Sequence, residues 1–410
     1  MHSLLLRAVA LTAAWLPALA QAAPLTLVQA LDLAVQRSES TRSARAGALS
    51  AAESARAAGQ LPDPTLQAGI DNLPITGAGA FRTTSDSMTM KRVGVSQEWL
   101  SSRKRAARQA AADAVAARDD VQIQAAMADA RLQTALAYVD AFHANEALKL
   151  TSQMAHHAHE ELEAAKARVS SATGSSQEVL ALASARGVAE DESDEARQQQ
   201  GEAIVALARW VGIPVDDMTP PDVPPPPTQA EFVSRHPSLA ALRRDVEVAR
   251  QAASVAATER TANWTWQVSY GQRTGYSDMV SVGVSIPLQV APARRQDRET
   301  AARLALVDKA EADLAEATRA VSAQYESLLG NAQRLQQRIA RYRTSVVAPA
   351  RQRIAAATAG YASNQVSLAT LFEARHAAVD AELKILALQR DLAKAQVQLA
   401  FVPLANGGDR

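Results

Sequence analysis

The densest set of side chains able to do chemistry is His156, His157 and His159, three of the seven histidines in the chain. On a helix, positions 156 and 159 share a face while 157 points elsewhere, so at most two imidazoles can reach one ion. A solvated helix surface is the simpler reading, and no metal ligand is assigned. Catalytic signatures are missing as well: there is no Gly-x-Ser-x-Gly elbow, phosphate loop or His-Glu-x-x-His, and the carboxylates are scattered along amphipathic stretches. The expectation is a protein that is not an enzyme, with no catalytic residue and no cofactor. Two basic clusters, Arg103-Lys104-Arg105-Arg108 and Arg294-Arg295-Arg298, sit where strands are predicted to turn into helices. Positive charge at a helix N-terminus opposes the macrodipole and needs a partner, for which phosphates of an inner lipid leaflet are the expected source.

The elements that frame these clusters are strands. Trp264, Trp266, Val268 and Tyr270 alternate with Thr265, Gln267, Ser269 and Gly271, and after a polar turn Val280, Val282, Val284, Ile286 and Leu288 alternate with small or polar residues. Period two predicts a hairpin, 264–272 with 279–288, whose apolar face (Trp264, Trp266, Tyr270, Val282, Val284) suits lipid and whose other face suits a water-filled lumen. The tetrapeptide Val282-Gly283-Val284-Ser285 also occurs as Val93-Gly94-Val95-Ser96. The chain therefore reads as an internal duplication. Its first half supplies a second hairpin, 65–73 with 88–99, and the parity change between Met90 and Val93 predicts a bulge near Lys91-Arg92. Four strands cannot close a barrel in lipid, but three chains can do so with twelve. The sequence asks for a homotrimer.

Composition agrees with this frame. Acidic and basic residues number 43 each, so no net field points to nucleic acid. Aromatics are 4% and alanine is abundant, which favours long, closely packed helices. Cysteine is absent, which excludes disulfides and thiolate metal sites. Residues 1–22 carry Arg7, an apolar run from Ala8 to Leu16 and Ala-x-Ala cleavage patterns, and are expected to be a secretory signal peptide.

Helices fill the remainder. One is predicted over 25–60, stopped by Leu61-Pro62-Asp63-Pro64, and a second runs from Ser101 to about Val169 without proline or glycine. It turns near 170–176 and returns over 177–211. The first repeat spans 23–213, a proline-rich linker 214–230, the second repeat 231–402 and a flexible tail 403–410. In the second repeat a helix over 294–358 carries the heptad Val321, Tyr325, Leu328, Ala332, Leu335, Ile339, Tyr342 and Val346, the signature of a left-handed coiled coil. It turns near 360–366 and returns over 367–400. Ala172, Ser175 and Glu178 at the first tip have the spacing of Asn364, Ser367 and Thr370 at the second. The fold class is thus mainly α with a small β part: long antiparallel coiled-coil helices form an α-barrel, continuous in the trimer with a 12-stranded transmembrane β-barrel.

This plan resembles the TolC-type outer-membrane efflux factor family over essentially the whole mature chain. Leu61-Pro62-Asp63-Pro64, Asn72-Leu73-Pro74, Met88-Thr89-Met90 and Val93-Gly94-Val95-Ser96-Gln97 followed by Arg103-Lys104-Arg105 resemble its heavy-metal, CzcC- and CusC-like branch. The resemblance implies a bacterial outer-membrane location with a long periplasmic extension. It also implies a periplasmic adaptor and an inner-membrane transporter of the RND type as partners, and passive conduction of heavy-metal cations. Without a lipid-modified cysteine, the chain is expected to hold to the membrane by its strands. The resemblance further implies a periplasmic gate at the tips, with Tyr361 matching an inner-helix tyrosine, Glu178 its outer-helix acidic partner and Glu373 one position of an acidic ring. Thr370 and Val366 stand where an acid and an arginine are expected, so fewer polar contacts should hold this gate. Alternatives are a duct for organic compounds or secreted protein, and a periplasmic coiled-coil adaptor.

Overall fold

The computed structural model describes residues 24–402 and 404. The expected signal peptide lies outside them, and of the expected flexible tail only Leu404 lies within. Leu404 is held: its N–H donates to the Arg235 carbonyl at 2.9 Å and its own carbonyl accepts from the Arg235 guanidinium.

Helices α1 (Leu27–Arg37) and α2 (Glu39–Ala58) replace the single helix expected over 25–60. Ser38, with an extended backbone, caps α2 by accepting from the Thr41 N–H, and this local bond competes with helix continuation. Strand β1 (Thr65–Asp71) then pairs antiparallel with β2 (Met90–Trp99), after which α3 (Ser102–Ser170) runs 69 residues, about 100 Å at 1.5 Å per residue. Helix α4 (Ser176–Val211) returns along it. The second half repeats the order with a short α5 (Gln229–Ser234), α6 (Pro237–Thr258), β3 (Trp264–Arg273), β4 (Met279–Ser285), α7 (Gln296–Tyr342), α8 (Ala348–Ala362) and α9 (Leu368–Phe401).

The four strands form one sheet in the order β1-β2-β3-β4, all antiparallel, so the outer edges of β1 and β4 have no partner among the described residues. Register places Trp99 opposite Trp264, and aligns Val95, Val268 and Val282 across three strands on one face, with Val93, Tyr270 and Val280 beside them. Trp264, Trp266, Tyr270, Val282 and Val284 share that face as the alternation predicts. The ladder between β2 and its neighbours is continuous through Lys91 and Arg92, so no bulge is present. Met90 falls instead on the polar face, where its side chain lies over Gly271. Strand β4 ends at Ser285, short of the expected Leu288, because Pro287 cannot donate to a ladder. Gly94 is required: a Cβ there would sit 2.6 Å from the Ser269 Cβ and 2.9 Å from the Val268 carbonyl oxygen.

The helices lie side by side in two tiers. Near the strands, α3 runs between α2 and α6, and α6 borders α7; farther away, the second half of α3 runs between α4 and α9, and α9 borders α7 and α8. Each tier is four helices wide. Between the tiers a core gathers around Tyr138, Val139, Leu207, Val211 and Val397, all fully buried. The Tyr138 hydroxyl lies 2.7 Å from the carbonyl oxygens of both Leu25 and Thr219, and a bridge between Leu25 and Met218 fastens the start of the proline-rich linker to the N-terminal segment. The linker's end is pinned as well, since the Tyr325 hydroxyl donates to the Pro227 carbonyl at 2.9 Å.

The helix expected over 294–358 is interrupted by a π turn, Arg343–Val347. Pro349 lacks an N–H and crowds the preceding turn, and the ladder answers by widening, with Ala348 N–H bonded to Arg343 O. One extra residue rotates the apolar stripe, so Val347 is buried and the heptad's Val346 is 36% exposed.

Two residues of the first basic cluster, Lys104 and Arg108, have an acidic partner inside the chain, and Arg103 and Arg105 enter no ion pair among the described residues. Lys104 is buried, and its Nζ lies 2.8 Å from both Glu259 Oε2 and Asn263 Oδ1 at the end of α6, with Arg108 3.6 Å from the same carboxylate. Removing one partner of a buried pair strands a charge, so Glu259→Ala is expected to cost about 3 kcal/mol while Lys104→Met costs much less. Urea unfolding of the two variants measures this, and equal losses would contradict the pairing.

Candidate functional site at the helical tips and the sheet faces

Two helical hairpins reach the end of the molecule opposite the sheet, and their turns are built alike. Ala172 and Asn364 take left-handed φ values of 59° and 57°. Around them the N–H of Thr173 bonds to Arg168 O at 2.9 Å and that of Ala172 to Val169 O at 3.0 Å, while Gln365 bonds to Gly360 O at 2.8 Å and Asn364 to Tyr361 O at 3.0 Å. These are the paired bonds of a helix C-terminus closed by a left-handed residue. Ser175 and Ser367 then cap α4 and α9 by accepting N–H groups of their first turns. The residue spacing that suggested equivalent tips therefore corresponds to equivalent backbone geometry. Close approach is relieved on opposite sides: a Cβ on Gly174 would lie 2.8 Å from the Val169 nitrogen, whereas in the second tip Val366 packs against Gly360.

Contacts between the tips involve two of the three predicted gate residues. Glu178, in the first turn of α4, accepts the Leu368 N–H at 2.8 Å, placing its carboxylate at the N-terminus of α9 where the macrodipole favours it. Tyr361 packs at the edge of an apolar cluster that includes Leu182, Leu368, Leu371 and Phe372, and the Arg168 guanidinium lies 5.7 Å from its ring centroid. No bond joins Tyr361 to Glu178 among the described residues. Glu373 is exposed one position from the buried Phe372 and enters no ion pair among the described residues. Sequence reasoning missed Arg168. Its signal was a basic residue in the last turn of α3, the usual place for a cation to meet a helix C-terminus.

Two turns before Arg168, Glu161 of α3 is buried and accepts from Arg375 of α9, with its second oxygen unpaired among the described residues. Burial pushes its carboxyl above the usual range despite the arginine. A carboxyl raised on folding favours the protonated native state, so its contribution is fully present below the unfolded pKa and lost as pH rises through the folded one. Glu161→Gln is therefore expected to gain stability relative to wild type between about pH 4 and about pH 7. Thermal unfolding at the two pH values checks this, and an unchanged difference would contradict it. Further along, His376 Nε2 lies 3.7 Å from Glu192 and 3.8 Å from Asp380, and burial also raises the Glu192 carboxyl.

The three clustered histidines are arranged otherwise than expected: His156 and His157, rather than His156 and His159, face a common group, Glu160, each at 3.3 Å, His159 is exposed, and no metal-binding group of three or more His, Asp or Glu side chains occurs among the described residues.

The sheet carries a different kind of surface. Its apolar face is open, with Leu66 72%, Val280 69% and Val282 74% exposed. On the opposite face Gly94, Ser96 and Gly271 are buried and the remaining residues are mainly small or polar. Among the described residues no helix is long and apolar enough to cross a membrane.

No protein-family model matches the chain, and no curated protein matches it by sequence. Solved structures do match it in fold. The CmeC outer membrane channel of Campylobacter jejuni superposes with a TM-score of 0.76 at 12% identity, over 93% of this chain and 87% of that one. CusC, a protein that forms a transmembrane channel, gives 0.75 at 11% identity over 92% of each chain. The MtrE outer membrane channel of Neisseria gonorrhoeae, in its open state, gives 0.72 at 16% identity, over 92% and 88%. The chain has the fold of these channel proteins along almost its full length.

Proposed function

We propose that the chain is one third of a passive outer-membrane channel that serves as the exit duct of a tripartite efflux system. The observation that carries this reading is the sheet: four strands with two unpartnered edges, one open apolar face and one small polar face. In lipid such edges are intolerable, and joining β1 of one copy to β4 of the next over three copies removes them. The same threefold operation sets twelve helices around the axis in each tier, a tube that extends the barrel into the periplasm. Tyr361, Glu178 and Glu373 then line its narrow end as the gate.

Within this reading the partners are a periplasmic adaptor and an inner-membrane RND transporter, which supplies the energy. The cargo is heavy-metal cations, supported by the Leu61–Pro64, Asn72–Pro74 and Val93–Gln97 motifs. The fold does not favour that branch, since CusC superposes no better than CmeC. A duct for organic compounds or secreted protein is the second reading. A soluble adaptor is disfavoured by the tryptophan, tyrosine and valine stripe left open on the sheet. Detergent-purified protein added to planar bilayers is expected to give uniform conductance steps, and a deletion strain is expected to lose tolerance to particular metals and not to organic toxicants. Absence of conductance would overturn the channel; unchanged metal tolerance would overturn the cargo.

A further inference from the structure

We propose that Arg273 forms a binding site for small oxyanions at the loop-side mouth of the strand sheet, an inference that rests on the channel reading above. Arg273 is the last residue of β3 and stands opposite Met90, on the polar face shared by Gly271 and Ser269. It enters no ion pair among the described residues. The neighbouring Arg92 is neutralised by Asp71 at 3.3 Å, and Asp278, the nearest acid in the hairpin, accepts from Tyr270 on the opposite face. Glu98, the other acid of the polar face, sits at the far end of β2 and accepts from Asn263 at 2.8 Å. Between these ends the face is uncharged, with Gln67, Ser96, Gln267, Ser269 and Ser281 along it.

The guanidinium is positioned but not satisfied. It lies 5.2 Å from the Tyr276 ring centroid, one terminal nitrogen is 3.4 Å from Met279 Sδ, a weak acceptor, and Nε is shielded from solvent with no acceptor among the described residues. A shielded donor without an acceptor is costly, and a planar guanidinium offers parallel N–H groups that match an oxyanion bidentately. In the threefold assembly three such groups lie at one level around the lumen, and each adds positive potential at that mouth. The loop-side mouth therefore holds a site for phosphate-like and carboxylate groups, opposite in sign to the acidic Glu373 at the other end, and this site depends on the channel and not on its cargo.

The test uses the detergent-purified assembly in planar bilayers with pyrophosphate added on the loop side. Wild type is expected to show pyrophosphate block, and Arg273→Gln to lose it and to lower the chloride-to-potassium permeability ratio by about twofold or more. Arg273→Lys, which keeps charge without the fork, should keep the ratio and weaken the block. Lys91→Gln, on the apolar face, should change neither. Normal conductance with wild-type block and ratio in Arg273→Gln overturns this site and leaves the channel standing. No conductance in any form, wild type included, overturns both.

Discussion

Val268→Arg is expected to lower the stability of the membrane-inserted protein by about 2–4 kcal/mol, while Gln267→Arg, one residue away, changes it little. Val268 sits at the centre of the apolar face, opposite Val95 on β2 and Val282 on β4. Lipid on that face cannot solvate a guanidinium, and the side chain is too far from either strand end to reach the headgroups easily. Gln267 projects to the other face, across from Ser96 and Gly283, where water accepts the charge. The yield of each variant in outer-membrane fractions and its urea unfolding in bilayers measure the difference. Equal losses would mean that the two faces do not meet different solvents.

Opening the tips is expected to have the second large effect. Glu178→Ala removes a charge-assisted bond to the N-terminus of α9, and Arg168→Ala removes the cation over Tyr361. In the proposed gate, at about 1–2 kcal/mol per contact, the pair repeated over three chains weakens a closed arrangement by several kcal/mol, enough to invert a population. Single-channel conductance of the double variant should rise toward that of an open tube. Tyr361→Phe alone should change little, because phenylalanine keeps both the packing and the ring face. Glu373→Ala should weaken block by divalent cations entering at the tips. Wild-type conductance and block in all of these variants would place the constriction elsewhere.

The strands were legible because their two faces differ in polarity: Val93-Gly94-Val95-Ser96 and Val282-Gly283-Val284-Ser285 advertise both period and duplication, and both lie in strands as expected. The helices were legible to within a few residues for a similar reason, since proline and glycine punctuate the chain at Pro62, Gly174 and Gly212. What escaped was set by single residues acting on backbone hydrogen bonds. Ser38 breaks one helix by capping the next, and Pro349 widens the coiled coil into a π turn that moves burial from Val346 to Val347. Met90 looked like a parity error and is a polar-face residue accommodated by Gly271, 181 positions away. Long-range polar pairs were invisible for the same reason. Nothing near Lys104 in sequence announces Glu259, and nothing near Tyr361 announces Arg168.

A channel of this kind requires β1 of one chain to join β4 of another. The natural sequence has no cysteine, so a single cysteine at Ala68 on β1 can be combined with one at Val280, Val282 or Val284 on β4 without background. Oxidation of outer-membrane fractions is expected to give, at one of the three registers, covalently closed three-chain species that reduction returns to single chains. Single chains at every register, with the mature protein recovered in the soluble fraction, would contradict the account.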